Sequence, residues 1–425
     1  MVSLILLLAC ALAFAAGRGD QGRTVLRIGD NYPDRHGGMG AVVERINNEF
    51  MAANPNVRIE VESMQDQPWQ DSVRIYATAN RLPDIIKWWT FPNMMNPLIE
   101  GRHLLPLNKS DYTGFGFLPG ALESNEFNGV FYGIPVSGDM WVLFVNRALF
   151  QQTGLPIPTT WEEIIASVPT FRAQGITPLA TNGLEGWPLS IFYDAVVQRI
   201  NGDFNRNYNA ITRSAGVRFT DPDFIQAARY IQDMVRAGVF NTNLTTSDYG
   251  DAQNMFIQGR AAMYMMGSWE MGMATNPNFR QTFRDNLDVI KFPVIQGGRG
   301  SVNEAMTWFG GNFVVAANTR VPDIAQAYMK FMAERIGPYA WEMGGGFQAQ
   351  RVNPRPSDSA VSRKLLQFSS EATTVSGRAP GLDYGITSVF KEEHQELMRQ
   401  LCSLVITPED FARRLDAAAE LDARR

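Results

Sequence analysis

"FIQGRAAMYMMGSWEMG", residues 256–272, decides how the chain is read. Its centre, Ala261-Ala262-Met263-Tyr264-Met265-Met266, has no polar break and no helical period, and glycines bound it at Gly259 and Gly267. A short apolar run of this kind is expected to be a strand buried on both faces, as in a parallel sheet. Gly267 permits a sharp exit, and Ser268 is expected to cap the helix that follows. Trp269 then falls just beyond the strand's carboxyl end, where open α/β sheets bind ligands.

Working outward, the periodicity predicts alternating strands and helices. Thr24–Ile28 reads as a strand, with Gly29-Asp30-Asn31 as its polar turn. Val42, Val43, Ile46 and Phe50 share one face of a helix over Met39–Ala53, which Asn54-Pro55 stops. A strand at Val57–Val61, a helix near Trp69–Asn80 and a strand over Pro83–Trp89 complete a βαβαβ order, which implies a doubly wound parallel sheet. Further strands are predicted at Tyr132–Val136, Trp141–Val145, Val289–Pro293 and Phe313–Ala317. Thr160 or Thr159 as N-cap, followed by Trp161-Glu162-Glu163, predicts a capped helix start, and Phe224–Ala237 and Ile324–Ala333 predict helices. Two more close the chain, near Thr387–Leu404 and Pro408–Ala419.

The 425 residues are enough for two lobes or domains. With a net charge of −5 and no Lys/Arg-rich block, no nucleic-acid partner is expected. Residues 1–16, MVSLILLLACALAFAA, are too short to span a bilayer; with Ala13-Phe14-Ala15 as a small-x-small cleavage site they read as an export signal. Leu7-Leu8-Ala9-Cys10 also resembles a loose lipobox, so a lipid anchor at Cys10 is an alternative end to the same export route. Cys402 is the only other cysteine, and His36, His103 and His394 lie far apart in sequence, so neither a disulfide nor a metal site is expected, and no cofactor.

No nucleophile elbow, phosphate loop or zinc-protease motif is present. Gly344-x-Gly346-x-x-Ala349 follows a helical stretch rather than a strand, so it reads as a loop and not as a dinucleotide fingerprint. What remains is a set of loop aromatics, Trp88, Trp89, Trp141, Trp187, Trp269 and Trp308, with the polar neighbours Asp30, Asn31, Asp84, Asp139, Asn182 and Glu185. A sugar ring has an apolar C–H face that suits an indole plane, and a hydroxyl rim that suits carboxylates and amides. Core packing is the competing reading for each Trp. A polyamine receptor would want several carboxylates beside aromatics, and a glycoside-acting enzyme two carboxyl groups roughly 5 to 9 Å apart.

Several pieces, in order, resemble family 1 extracellular solute-binding proteins, the sugar-binding receptors of bacterial ABC importers, with maltose-binding proteins as relatives. They are Leu82-Pro83-Asp84-Ile85, Tyr132-Gly133-Ile134-Pro135, Asn146–Phe150, Pro158–Glu163, and Phe256–Met263 ending in Gly267-Ser268-Trp269. The resemblance implies a two-lobe periplasmic binding protein fold of type II. Each lobe would be a mainly parallel sheet flanked by helices, with the ligand cleft between them. It places 24–141 and 293–312 in lobe 1 and 142–290 and 314–425 in lobe 2, after a signal at 1–16 and a tether at 17–23. It implies that Trp88, Trp269, Trp141, Asp139 and Trp308 face the cleft. Trp187, Asp84, Asp30, Asn31 and Asp383 are further candidates. It implies a carbohydrate ligand, permease partners, a monomer, a periplasmic or cell-surface location and no catalysis.

Overall fold

The computed structural model describes residues 22–346, 348–371, 374–375 and 388–424. The expected signal, Cys10, most of the tether and Asp383 lie outside the described residues.

Two sheets organise the molecule. In the first, the Thr24–Asp30 strand lies between Val57–Ser63 and Ile85–Trp89, parallel to both. This is the expected βαβαβ unit, connected by helices Gly38–Ala53 and Asp66–Thr78. A later strand, Gly311–Val315, joins antiparallel to Ile85–Trp89 and carries Gly133–Pro135 on its other side. In the second sheet Ala261–Gly267 is central. It runs parallel to Thr177–Ala180 and antiparallel to Asp139–Asn146, which pairs in turn with Leu287–Lys291. All seven residues of Ala261–Gly267 are buried, as its unbroken apolar run requires; the sheet around it is mixed rather than purely parallel. Thr160 caps the Trp161–Ala173 helix through a reciprocal capping box with Glu163.

Three expectations are corrected. Ser268 does not cap a helix; its hydroxyl accepts from the Met140 amide at 3.0 Å, tying two strand ends together before the 3-10 turn Ser268–Ala274. Residues 314–343 belong with the first lobe. Val314 and Val315 pair with Ile86 and Ile85, and the Pro322–Met343 helix packs on Gly38–Ala53. Conversely, the stretch after Phe292 stays on the second lobe, where the Val294 amide donates to Thr159 and the Gly300 amide to Arg199. Distant return segments carry no periodic mark of the sheet they join.

The chain therefore crosses between lobes at 136–138, at 309–310 and at 344–359. The first two crossings are locked together: the Gly311 amide donates to Ser137 Oγ, and Ser137 Oγ donates to Asp139, both at 3.1 Å. Among the described residues no helix is long and apolar enough to cross a membrane.

Candidate ligand cleft

A cavity of about 400 Å³ lies at the carboxyl ends of the strands, between the lobes. The first lobe supplies Tyr32, Lys87 and Trp89; the second supplies Trp187, Tyr249 and Trp269; Asp139 and Trp308 come from the crossings.

The second-lobe wall is an aromatic cluster. Trp269 sits 6.0 to 6.2 Å, centroid to centroid, from Trp141, Trp187 and Trp308. Its indole N–H donates to the Tyr249 hydroxyl at 3.0 Å, and Tyr249 in turn donates to Glu270. Gln253 also donates to Glu270, at 2.7 Å. These bonds fix the Trp269 ring, so its half-buried face is presented to the cavity as a rigid plane.

The polar groups are strongly perturbed. Burial pushes the Asp139 carboxyl up to about 7, against the opposing effects of Ser137 and Lys87. Burial also raises Glu270. Lys87 is 3% exposed, and its Nζ lies 3.4 Å from the Trp89 ring centroid. Its desolvation lowers its pKa to about 8, although Asp66, Asp139 and Asp30 pull the other way. Two buried polar atoms in the wall have no partner among the described residues, Asn31 Oδ1 and Trp187 Nε1. Leaving such atoms unpaired costs about 1 to 3 kcal/mol each unless a ligand or water satisfies them.

Of the expected site residues, Asn31, Asp139, Trp187, Trp269 and Trp308 line this cavity. Four others do not. Trp88 is 2% exposed in the first-lobe core, its N–H donating to the Met94 carbonyl, because strand neighbours point to opposite faces. Trp89 faces the cavity instead. Asp84 is a buried structural acceptor for the Arg27 amide and the Thr319 hydroxyl. Asp30 is fully buried under Arg35, Ser63 and the Tyr32 amide. Trp141 packs behind Trp187 and Trp269 rather than against the cavity. Sequence reasoning missed Tyr32, Lys87, Tyr249 and Glu270. One signal was available: a lysine inside an otherwise apolar strand marks its solvent-facing parity, and Trp89 shares that parity with Lys87.

The lobes also touch directly. Asn276 donates to Asp34 across the gap at 3.3 Å. Gly272 of the 3-10 turn packs on Gly38 and Gly344 so closely that an added Cβ would sit 2.6 Å from the Gly344 carbonyl oxygen. Backbone cannot yield there, so Gly272→Ala holds the lobes apart. It should weaken ligand binding about tenfold, roughly 1.4 kcal/mol of closed-state bias, while the unliganded melting temperature moves little. Calorimetric titration beside a thermal melt checks both halves.

Known proteins share this architecture. The multiple sugar-binding protein of Streptococcus mutans is 24% identical over 69% of this chain and 68% of its own length. A solved structure from work on xylan utilization by the thermophilic bacterium Caldanaerobius polysaccharolyticus is 26% identical. It superposes with a TM-score of 0.84 over 93% of this chain and 99% of that one. A chitin oligosaccharide binding protein, 19% identical, shares the fold with a TM-score of 0.80 over 95% of this chain and all of that one. Residues 32–335 match the family described as bacterial extracellular solute-binding protein. With two lobes, three crossings and a cleft walled from both sides, the chain belongs to the bacterial extracellular solute-binding proteins.

Proposed function

We propose that the chain captures an oligosaccharide by hinge closure, outside the cytoplasm, and hands it as a monomer to the permease subunits of an ABC importer. One observation carries the reading: indole planes from both lobes frame a cavity whose wall also holds buried polar atoms without partners among the described residues. Apolar faces beside unsatisfied donors and acceptors match the two surfaces of a pyranose. The relatives' sugar-binding names support the same ligand class. A polyamine reading is less well supported, because Asp139 and Glu270 already accept from protein donors.

A disaccharide has about 23 heavy atoms, and at roughly 0.3 kcal/mol each it gains about 7 kcal/mol, a micromolar dissociation constant. Titration of the mature chain with mono- to tetrasaccharides, following tryptophan fluorescence and heat, tests this. Saturable binding with the sugar recovered intact is expected; a flat response to every sugar rejects it. A neutral sugar hydroxyl donates better to a carboxylate than to a carboxylic acid. Since Asp139 titrates near 7, neutral-sugar affinity should rise between pH 6 and pH 8. Asp139→Asn should lose about tenfold at pH 8 and little at pH 6, by the worth of one charge-assisted hydrogen bond. Parallel titrations of both proteins at the two pH values decide it.

A further inference from the structure

The polar lining of the cleft is not balanced. Among the described residues, each of its four carboxyl groups already has protein donors. Asp34 accepts from the His36 amide and Asn276, Asp66 from Gln70, Asp139 from Ser137, and Glu270 from Tyr249 and Gln253. Lys87 is different. Its ammonium borders the cavity, is almost wholly buried, and rests on the Trp89 ring, with Tyr32 beyond it at 5.8 Å. Among the described residues it donates no hydrogen bond and has no carboxylate within ion-pair distance. Lys391, a second lysine on the cavity wall, comes from the opposite lobe.

A helix end also borders the cavity. The sixteen-residue helix Gly38–Ala53 starts from Gly37, which offers no side-chain cap, and its first turn holds no acid. Gly37, Gly38 and Gly40 border the cavity there, with the Asn276 amide and the Asp34 carboxylate beside Gly37. Such an end carries about half a unit of positive charge, which favours an anion nearby.

We propose that the cleft selects an acidic oligosaccharide, one whose uronate carboxylate pairs with Lys87 in the cavity faced by the Gly37–Gly40 helix end. The inference rests on the sugar-binding reading above and narrows it. A neutral sugar offers Lys87 only hydroxyl acceptors, which leaves the ammonium the more distant charges of Asp66, Asp139 and Asp30. A carboxylate supplies charge-assisted hydrogen bonds, about twice as strong as neutral ones. Burial also works in this direction. It holds Lys87 near 8 and Asp139 near 7 in the empty cleft, so at neutral pH the lysine is still mostly charged while the Asp139 carboxyl is partly neutral.

The test is calorimetric titration of the mature chain with matched pairs: cellobiose against cellobiouronic acid, and xylotriose against glucuronosyl-xylotriose. The acidic member of at least one pair should bind tenfold or more tightly than its neutral partner, and added salt should shrink that ratio. The preference should vanish in Lys87→Gln and survive in Lys87→Arg, with circular-dichroism melts reporting that each variant is folded. Neutral members binding as tightly as acidic ones in both pairs would overturn the inference and leave the sugar-binding reading standing. A folded Lys87→Gln that keeps the full preference also overturns it. If the glutamine variant does not fold, the wild-type ratio and the arginine variant still decide. Should no member of either pair bind, and no other sugar, both readings fall together.

Discussion

Replacing Trp269 with alanine is expected to weaken sugar binding about thirtyfold, the largest loss from any single change in the cleft. The indole ring is half-buried, so its exposed face is what a ligand would cover. Covering roughly 80 Å² of apolar surface contributes about 2 kcal/mol at 25 cal/mol per Å². The stacked geometry adds a smaller share. Trp269 is also locked by Tyr249 and packed against Trp141, Trp187 and Trp308, so the plane is already in place before the ligand arrives. Little ordering entropy remains to be lost on binding. Trp269→Phe keeps a smaller plane but loses the bond to Tyr249, and should fall between the two. Titration of the three proteins with one sugar reads the series. Affinity within threefold of wild type for the alanine variant would remove Trp269 from the site.

The second large effect concerns acid stability and lies far from the cleft. His394 is 1% exposed, and neither ring nitrogen has a partner among the described residues. Tyr193, Phe390 and Phe411 surround it at centroid distances of 5.6 to 6.2 Å. Taking the imidazole out of water disfavours its charged form and pushes its pKa down to about 3. The unfolded chain protonates near 6.5, so below that pH the unfolded state binds more protons than the folded one. Stability is therefore fully present above pH 6.5 and drains away as the pH falls toward 3. At pH 4 the cost is about 3 kcal/mol, at 1.36 kcal/mol per unit. His394→Leu removes the titrating group and the unpaired nitrogens while keeping the apolar contacts. It should match or slightly exceed wild type at pH 7.5 and be more stable by about 3 kcal/mol at pH 4. Urea unfolding at both pH values measures the difference. Parallel stability curves for the two proteins would mean that His394 protonates freely when folded.

Much of the architecture is legible in the sequence because it is written in local periodicity. The unbroken run 261–266 announces a strand buried on both faces, and the amphipathic stretch after Met39 announces a helix packed on a sheet. Thr160 with Glu163 spells out its own cap. The division into lobes is legible only in part. Residues 311–343 return to the first lobe after more than 160 residues spent on the second, and nothing in their pattern names the sheet they rejoin.

The site divides along the same line. Trp269 and Trp187 border the cavity; Trp269 lies just past the end of a strand, a place the sequence marks with Gly267. Trp88 is one residue off the cavity-facing parity of its strand, which only Lys87 marks among otherwise apolar residues. Asp30 and Asp84 are buried acceptors for protein donors, most of them distant in sequence, a use that leaves the same sequence mark as a ligand contact. Tyr249 and Glu270 come into the site through tertiary contacts that no local pattern records.

The central claim is that indole planes from both lobes enclose a sugar. A crystal structure of the chain grown with an oligosaccharide it binds tests that most directly. The account predicts pyranose density between Trp269 and Trp89, within reach of Lys87, Asp139 and the Trp187 N–H. Density for the sugar outside the cavity, or bound to one lobe with the gap empty, would contradict it.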